Sequence, residues 1–414
     1  MSDTIDLQLD DLAYGGDAVG RYGGQVVFVP LGLPGERVRV TLVRRQKRYA
    51  RGRIVEIQEP SPQRVAPPCP YYGRCGGCQL QHLSYPGQLE HKRRVVAAQL
   101  ERIGRQEGVT VLPTLGMEDP WRYRNNVQAS LTDEGELGFL AAGSNRVVPV
   151  AHCLLLHPLL DDLWAGPARE VALRGAGRVE RLSLRAGLAT GERLVILEGV
   201  RGRVPDLPAE GGASWVQSRA HGAARVLRGK GDLVEVLAGR RLRISAEAFF
   251  QVNTAQAEVL VAVAARMLAL AGTETLLDAY CGVGTFALTA GRRAGRVIGI
   301  ESAAGAIVDA LANRHEGEPA EFLVGRVEEV LPGVEAHIDA VILDPPRAGC
   351  AREVLEALAA REPGRIVYVS CDPATLARDE AVLSEHGYRP EQVQPVDMFP
   401  QTYHVETVVL LSGV

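Results

Sequence analysis

Leu276-Leu277-Asp278-Ala279-Tyr280-Cys281-Gly282-Val283-Gly284-Thr285-Phe286-Ala287 is the stretch that decides the fold. It reads as a buried strand running into a G-x-G-x-x-A turn, and Glu301 closes the next apolar run 19 residues after Gly282. An acid at that offset is placed to accept hydrogen bonds from ribose hydroxyls, and the glycines allow a ligand close to the backbone. The segment therefore predicts binding of an adenosine-type cofactor. Working outward, the apolar runs Thr275–Asp278, Val297–Glu301, Ala340–Leu343, Ile366–Ser370 and Thr407–Leu411 alternate with helical patterns such as Ala255–Ala271 and Ala374–His386. Buried strands alternating with helices predict a doubly wound, Rossmann-like parallel sheet over residues 249–414, with helices on both faces.

The glycine turn alone does not separate a nicotinamide cofactor from S-adenosylmethionine. Two later segments do. Leu343-Asp344-Pro345-Pro346-Arg347 ends a buried strand with an acid and a rigid turn, suited to walling a flat substrate against the cofactor at the carboxyl edge of the sheet. Val367-Tyr368-Val369-Ser370-Cys371-Asp372-Pro373 puts a cysteine directly after the next strand, at the start of a helix whose dipole favours a thiolate. Cys281 and Cys350 have no chemical partner in view and read as buried structural cysteines.

Upstream, residues 1–59 alternate short apolar stretches with the glycine pairs Gly15-Gly16 and Gly23-Gly24, predicting a small antiparallel β-barrel. Within it Arg44, Arg45, Lys47, Arg48, Arg51 and Arg53 fall in a stretch with no acid, and Tyr49 is interleaved. An RNA-binding barrel would arrange its charge in this way, although such a run also suits any solvated face. The prolines of Glu59-Pro60-Ser61-Pro62 and Pro67-Pro68 mark a boundary near residue 60. A central mixed α/β segment is expected over 60–248, with a helix at Gln88–Ile103 and strands at Asn126–Phe139, Arg181–Leu188, Arg193–Val200 and Asp232–Ile244.

Cys69, Cys75 and Cys78 lie within ten residues on a glycine-rich loop, and Cys153 stands 75 positions after Cys78. In a reducing compartment such a group points to a metal before disulfides. Four thiolates suit zinc and a [4Fe–4S] cluster alike, so spacing leaves both open. The 414 residues carry 46 basic and 50 acidic side chains, a formal charge of −4, which excludes a globally basic coat and makes nucleic-acid contact a matter of local patches. Only three of the basic residues are lysine; the arginine excess suits bidentate phosphate recognition, and coding bias also accounts for it. The opening MSDTIDLQLDDL has no basic n-region followed by an apolar core, and no apolar run is long enough to span a membrane. A soluble, cytoplasmic protein is expected.

Taken together, the chain resembles the RNA uridine-5 methyltransferases that use S-adenosylmethionine, in the branch with an N-terminal TRAM domain and a four-cysteine iron–sulfur cluster. The likeness rests on Cys69-x5-Cys75-Gly-Gly-Cys78 with Cys153, Phe249-Phe250-Gln251-Val252-Asn253, Asp278-x-Tyr280-Cys281-Gly282-x-Gly284, Asp344-Pro-Pro-Arg347, Ser370-Cys371-Asp372-Pro373 and Val405-Glu406-Thr407-Val408. The resemblance implies that Gln251, Tyr280, Glu301 and Asp344 bind S-adenosylmethionine, that Cys371 is the nucleophile and Glu406 the general base, and that Cys69, Cys75, Cys78 and Cys153 ligate a [4Fe–4S] cluster. It implies a fold with a TRAM barrel, a central iron–sulfur segment and a methyltransferase sheet. One departure stands out: where similar enzymes often offer an asparagine to the adenine, this chain reads Gly325-Arg326.

The chemistry requires both groups. Uracil C5 is a weak nucleophile; thiolate addition at C6 makes an enolate whose C5 attacks the sulfonium methyl, and a base then removes the C5 proton so that the thiolate is eliminated. The uridine must be unpaired or flipped to expose C6. The scheme contains no redox step, so the cluster reads as structural or RNA-positioning. A nicotinamide-dependent oxidoreductase would use the glycine turn but not Cys371 and Glu406, and an RNA chaperone would need neither. The resemblance favours 23S ribosomal RNA as substrate, with the T-loop of transfer RNA as the alternative, and a monomer acting without a membrane.

Overall fold

The computed structural model describes residues 4–106, 108–208, 212–219 and 224–413; Met1, Ser2 and Asp3 of the opening segment lie outside the described residues. The chain begins with β1 (Thr4–Leu12), β2 (Ala18–Tyr22), β3 (Gln25–Val29), β4 (Arg37–Arg45) and β5 (Tyr49–Glu59), which close into a barrel in the order β1-β2-β3-β5-β4. Strict alternation in β1 buries Ile5, Leu7 and Leu9 and leaves Thr4, Asp6 and Gln8 in solvent. The expected all-antiparallel barrel needs one correction: β3 and β5 pair in parallel, Val27 opposite Ala50. Alternation fixes which face a strand buries and says nothing about the direction of its neighbour.

Helix α1 (Tyr85–Arg102) follows, starting one turn earlier than its apolar pattern because Pro86 occupies the first turn, where it is tolerated. The next sheet contains β6 (Asn126–Leu131), β7 (Leu137–Leu140), β8 (Val147–Pro149), β9 (Arg181–Ala186), β10 (Arg193–Glu198), β11 (Ser214–Gln217) and β12 (Arg225–Arg228), in the order β12-β11-β10-β9-β6-β7-β8. The stretch expected as one strand over Asn126–Phe139 is the pair β6 and β7, joined by a turn in which Gly135 N donates to Thr132 O. Helices α2 (Pro158–Ala165) and α3 (Pro167–Arg174) share a core with this sheet, around Trp164 and Trp215.

The last part opens with the hairpin β13 (Asp232–Leu237) and β14 (Arg240–Ser245), then α4 (Thr254–Leu268), whose first turn is capped by the Asn253 side chain. Five strands form the buried run: β15 (Thr275–Ala279), β16 (Arg296–Glu301), β17 (Ala320–Val324), β18 (Ala340–Leu343) and β19 (Arg365–Ser370). They are mutually parallel, interleaved with α5 (Ala304–Asn313), the one-turn α6 (Val327–Val330) and α7 (Arg352–Ala359). After α8 (Pro373–Glu385), β20 (Tyr388–Val396) and β21 (Glu406–Gly413) complete the order β17-β16-β15-β18-β19-β21-β20. The parallel sheet expected from the sequence is thus mixed, because β21 runs antiparallel to both β19 and β20.

The stretches on either side of residue 249 share a core. Leu233 and Ile244 of the hairpin pack with Leu260 and Ala264 of α4, and Val96 and Leu100 of α1 pack with Leu376 and Leu383 of α8. The second of these contacts sets α1 against α8 of the C-terminal sheet. Among the described residues no helix is long and apolar enough to cross a membrane.

Candidate active site

The turn after β15 is held from the next strand: Tyr280 N and Cys281 N both donate to Ile300 O, at 2.9 and 3.0 Å. Backbone φ is positive at Tyr280 (+99°), Gly282 (+54°) and Gly284 (+86°), so the chain turns sharply back over the strand end. Gly282 N donates to Glu301 Oε2 at 3.2 Å, and Ala303 N to Glu301 Oε1 at 2.7 Å, which fixes that carboxylate at the rim of the turn. Asp278 is fully buried, accepts from Ala287 N at 2.8 Å, and has its carboxyl pushed up to about 8 by burial and then by Asp344 and Glu301. Asp344, directly after β18, is likewise pushed up to about 7 by burial, and Gln251 Nε2 stands 3.5 Å from its Oδ2. Gln251, Glu301 and Asp344 therefore come together at one edge. The Tyr280 side chain packs partly into the core, with its hydroxyl against Cys350.

The neighbouring pair follows from strand register. Ser370 of β19 lies opposite Thr407 of β21, so the next residues outward, Cys371 and Glu406, meet beyond the end of the ladder. Glu406 is 4% exposed and its Oε2 has no partner among the described residues. Burial, followed by the Asp344 charge, holds its carboxyl well above the usual carboxylate range, against the pull of Arg347. The Cys371 thiol is pushed up to about 12 by burial and by Glu406, and Arg347 opposes the shift. Arg347 is the cation that favours the ionised forms of both groups. Asp372 caps α8, accepting from Ala374 N at 2.9 Å and Thr375 N at 3.1 Å. His404 lies 3.5 Å from Arg347 Nη2, and burial followed by that cation lowers its imidazole to about 4.

The four N-terminal thiols form a second group. Cys69, Cys75, Cys78 and Cys153 line one cavity of about 230 Å³ together with Arg124. Cys75 pairs with Ala141, and Ala151 N donates to Tyr71 Oη at 3.0 Å, so the β7 end and the Cys153 loop are drawn to the cysteine loop. Burial pushes Cys78 up to about 12 and Cys153 up to about 11. The Arg124 Nε is buried without a hydrogen-bond partner among the described residues. Among the described residues, no three His, Cys, Asp or Glu side chains form a group that could hold a metal ion. Cys281 and Cys350 are buried, as the sequence suggested.

Comparison with known proteins bears on this geometry. Residues 326–414 match the tRNA (Uracil-5-)-methyltransferase family and residues 3–55 match the TRAM domain. An uncharacterized RNA methyltransferase of Halalkalibacterium halodurans is 38% identical over 99% of this chain and 97% of its own length. One from Thermosynechococcus vestitus is 39% identical over 99% of this chain and 98% of its own. The chain belongs to the RNA uracil-5-methyltransferase family. Among solved structures, the Pyrococcus abyssi tRNA (uracil-54, C5)-methyltransferase in complex with S-adenosyl-L-homocysteine superposes with a TM-score of 0.78 at 29% identity, covering 98% of this chain and 100% of that one.

For an RNA uracil-5-methyltransferase, the matched C-terminal stretch contains Asp344, Cys371 and Glu406, and the TRAM stretch contains the exposed Arg44, Arg45, Arg48, Arg51 and Arg53. Three members of the site escaped the sequence reading. Arg347 had a signal, because it closes Asp344-Pro-Pro-Arg347, but nothing in the sequence aims it at Cys371. His404 and Arg124 had none. Arg326, standing where an asparagine was expected, pairs instead with Glu328.

Proposed function

We propose that this enzyme transfers the methyl group of S-adenosylmethionine to C5 of a uridine in RNA through a covalent adduct between Cys371 and C6. The observation that carries the proposal is the meeting of Cys371, Glu406 and Arg347 beside the glycine turn. Bound S-adenosylmethionine supplies an electrophilic methyl on a positive sulfonium. Gln251, Tyr280, Glu301 and Asp344 would hold it; the fit rests on the cradle of Gly282 and Gly284 and on the raised carboxyl of Asp344, which a cation would favour in its ionised form. The Cys371 thiolate, favoured by Arg347, adds to C6 and leaves C5 nucleophilic. C5 takes the methyl group as S-adenosylhomocysteine leaves; the Glu406 carboxylate then takes the C5 proton, and the Sγ–C6 bond breaks to return the Cys371 thiolate.

A [4Fe–4S] cluster held by Cys69, Cys75, Cys78 and Cys153 is proposed from the resemblance and from the one cavity that the four thiols line, although among the described residues they are not gathered into a metal-holding group. About 230 Å³ is several times the roughly 30 Å³ share of one water in the liquid, room for a polyatomic group rather than a single ion. The Arg124 guanidinium, which lines the same cavity, would supply positive charge to a thiolate-bound group. The cluster's part would be structural, with Cys69, Cys75 and Cys78 on one loop and Cys153 on another.

For the substrate, 23S ribosomal RNA is the expectation from sequence. The full-length likeness to an enzyme of tRNA uracil-54 favours the second reading, a transfer-RNA T-loop. The test is incubation with methyl-labelled S-adenosylmethionine and bulk RNA from a strain lacking the gene. Label recovered as 5-methyluridine, and lost with Cys371→Ala, supports the proposal; the labelled RNA class chooses between the substrates. Absence of labelled 5-methyluridine, or full turnover by Cys371→Ala, contradicts it.

A further inference from the structure

The barrel reaches the catalytic edge through one loop. Between β1 and β2, Ala13 N donates to Asp17 O and Gly16 N to Ala13 O, each at 2.9 Å, so the loop is a closed turn. Gly16 adopts φ +90°, and a Cβ there would stand 3.1 Å from Gln79 Cβ, so glycine lets the turn sit directly on the 79–80 backbone. That backbone is itself anchored, with Gln79 N and Leu80 N donating to Gln401 O at 3.1 and 3.0 Å.

At the tip of this turn Tyr14 Oη donates to Asp372 Oδ2 at 3.2 Å. Asp372 spends its other oxygen on the first turn of α8 and is bonded covalently to Cys371. The Tyr14 ring also meets Tyr403 edge-on, with centroids 5.4 Å apart, and Tyr403 lies 4.1 Å from the His404 ring, two residues before Glu406. One barrel side chain thus touches the segments bearing both catalytic candidates.

We infer that Tyr14 is a positioning residue for methyl transfer: its hydroxyl fixes the Asp372 cap that orients Cys371, and its ring braces the Tyr403–Glu406 segment, so that the barrel completes the active site. The inference rests on the roles proposed above for Cys371 and Glu406. Without the hydroxyl, Asp372 Oδ2 loses its side-chain partner and the peptide bearing the thiol is free to shift. Attack at C6 needs the reacting atoms about 3–3.5 Å apart, and a misplacement of about 1 Å costs on the order of 100-fold. Tyr14→Phe keeps the ring contact and removes only the hydroxyl.

The experiment uses the full chain in single turnover, with S-adenosylmethionine and bulk RNA made in the presence of 5-fluorouracil. Fluorine at C5 cannot leave as the proton does, so the methylated adduct accumulates and its formation rate is read on denaturing gels. Tyr14→Phe should form adduct about 10-fold more slowly at saturating RNA, with affinities for RNA and S-adenosylhomocysteine within about 2-fold of wild type, the rate equivalent of one lost charge-assisted hydrogen bond. Asp372→Ser keeps a helix cap but is too short to reach Tyr14, so adding Tyr14→Phe in that background should change the rate less than about 2-fold. A Tyr14→Phe rate equal to wild type, a loss confined to RNA affinity, or full additivity with Asp372→Ser overturns the inference. If Cys371→Ala still forms adduct, the proposed function fails instead.

Discussion

Lys92→Met probes the bond between α1 and the loop leading to Glu406. Lys92 and Asp397 are both wholly buried; Nζ lies 2.5 Å from Asp397 Oδ1 and donates to Phe399 O at 3.0 Å. Burial alone lowers the ammonium's proton affinity, and the Asp397 charge opposes that shift. Methionine keeps the volume and removes the charge, leaving Asp397 with the Tyr85 hydroxyl at 2.8 Å as its remaining side-chain partner. An uncompensated buried carboxylate of this kind costs about 3–5 kcal/mol. Replacing both members by apolar residues removes the uncompensated charge, so Lys92→Met with Asp397→Leu should be more stable than Lys92→Met alone, with a coupling of about 2 kcal/mol. Urea unfolding of the three variants followed by circular dichroism gives these free energies. A cost below about 1 kcal/mol for Lys92→Met, or a double variant at the sum of the singles, would refute the reasoning.

Glu380 is fully buried on α8 with neither oxygen partnered among the described residues, and burial, followed by Asp379, pushes its carboxyl up to about 8. Its folded form therefore holds a proton that the unfolded chain releases near pH 4.5, so stability declines from there up to about pH 8, by at most about 1.4 kcal/mol per pH unit. Glu380→Gln should remove that slope and melt higher than wild type at pH 7.5; a parallel pH dependence in calorimetry contradicts the assignment. Anaerobically prepared protein should absorb broadly near about 400 nm, as thiolate-bound iron does, and Cys153→Ser should lose the band together with its iron. Colourless protein, or Cys153→Ser with full iron content, rules the cluster out.

The catalytic sheet was legible because parallel strands buried on both faces leave continuous apolar runs. Thr275–Asp278 and Ile366–Ser370 read from sequence differ by one residue at one end from the strands Thr275–Ala279 and Arg365–Ser370. The helix expected to reach Ala271 stops at Leu268, where Ala269 turns left-handed at φ +45°, a local reversal that no residue type announces. Strand β20 was not read because Pro390 and Pro395 argue against a strand; it sits at the sheet edge, where a missing N–H is tolerated. Asp232–Ile244 read as one strand because Ala238, at φ +51°, hides the hairpin turn beside Gly239. Within the site, the motifs supplied Asp344, Cys371 and Glu406. Contacts across hundreds of residues, such as Tyr14 with Asp372 or Lys92 with Asp397, leave no local pattern, since each depends on the docking of whole elements.

The central claim is that Cys371 bonds to the base and Glu406 releases it. Glu406→Gln, incubated with methyl-labelled S-adenosylmethionine and unmodified RNA, tests both halves at once. Glutamine keeps the shape of the buried side chain but cannot take the C5 proton, so addition and methyl transfer should proceed and elimination should stall. The expected product is a labelled protein–RNA complex that survives denaturing electrophoresis, with the modified peptide after digestion containing Cys371. Normal yield of 5-methyluridine with no adduct, or an adduct on another cysteine, would contradict it.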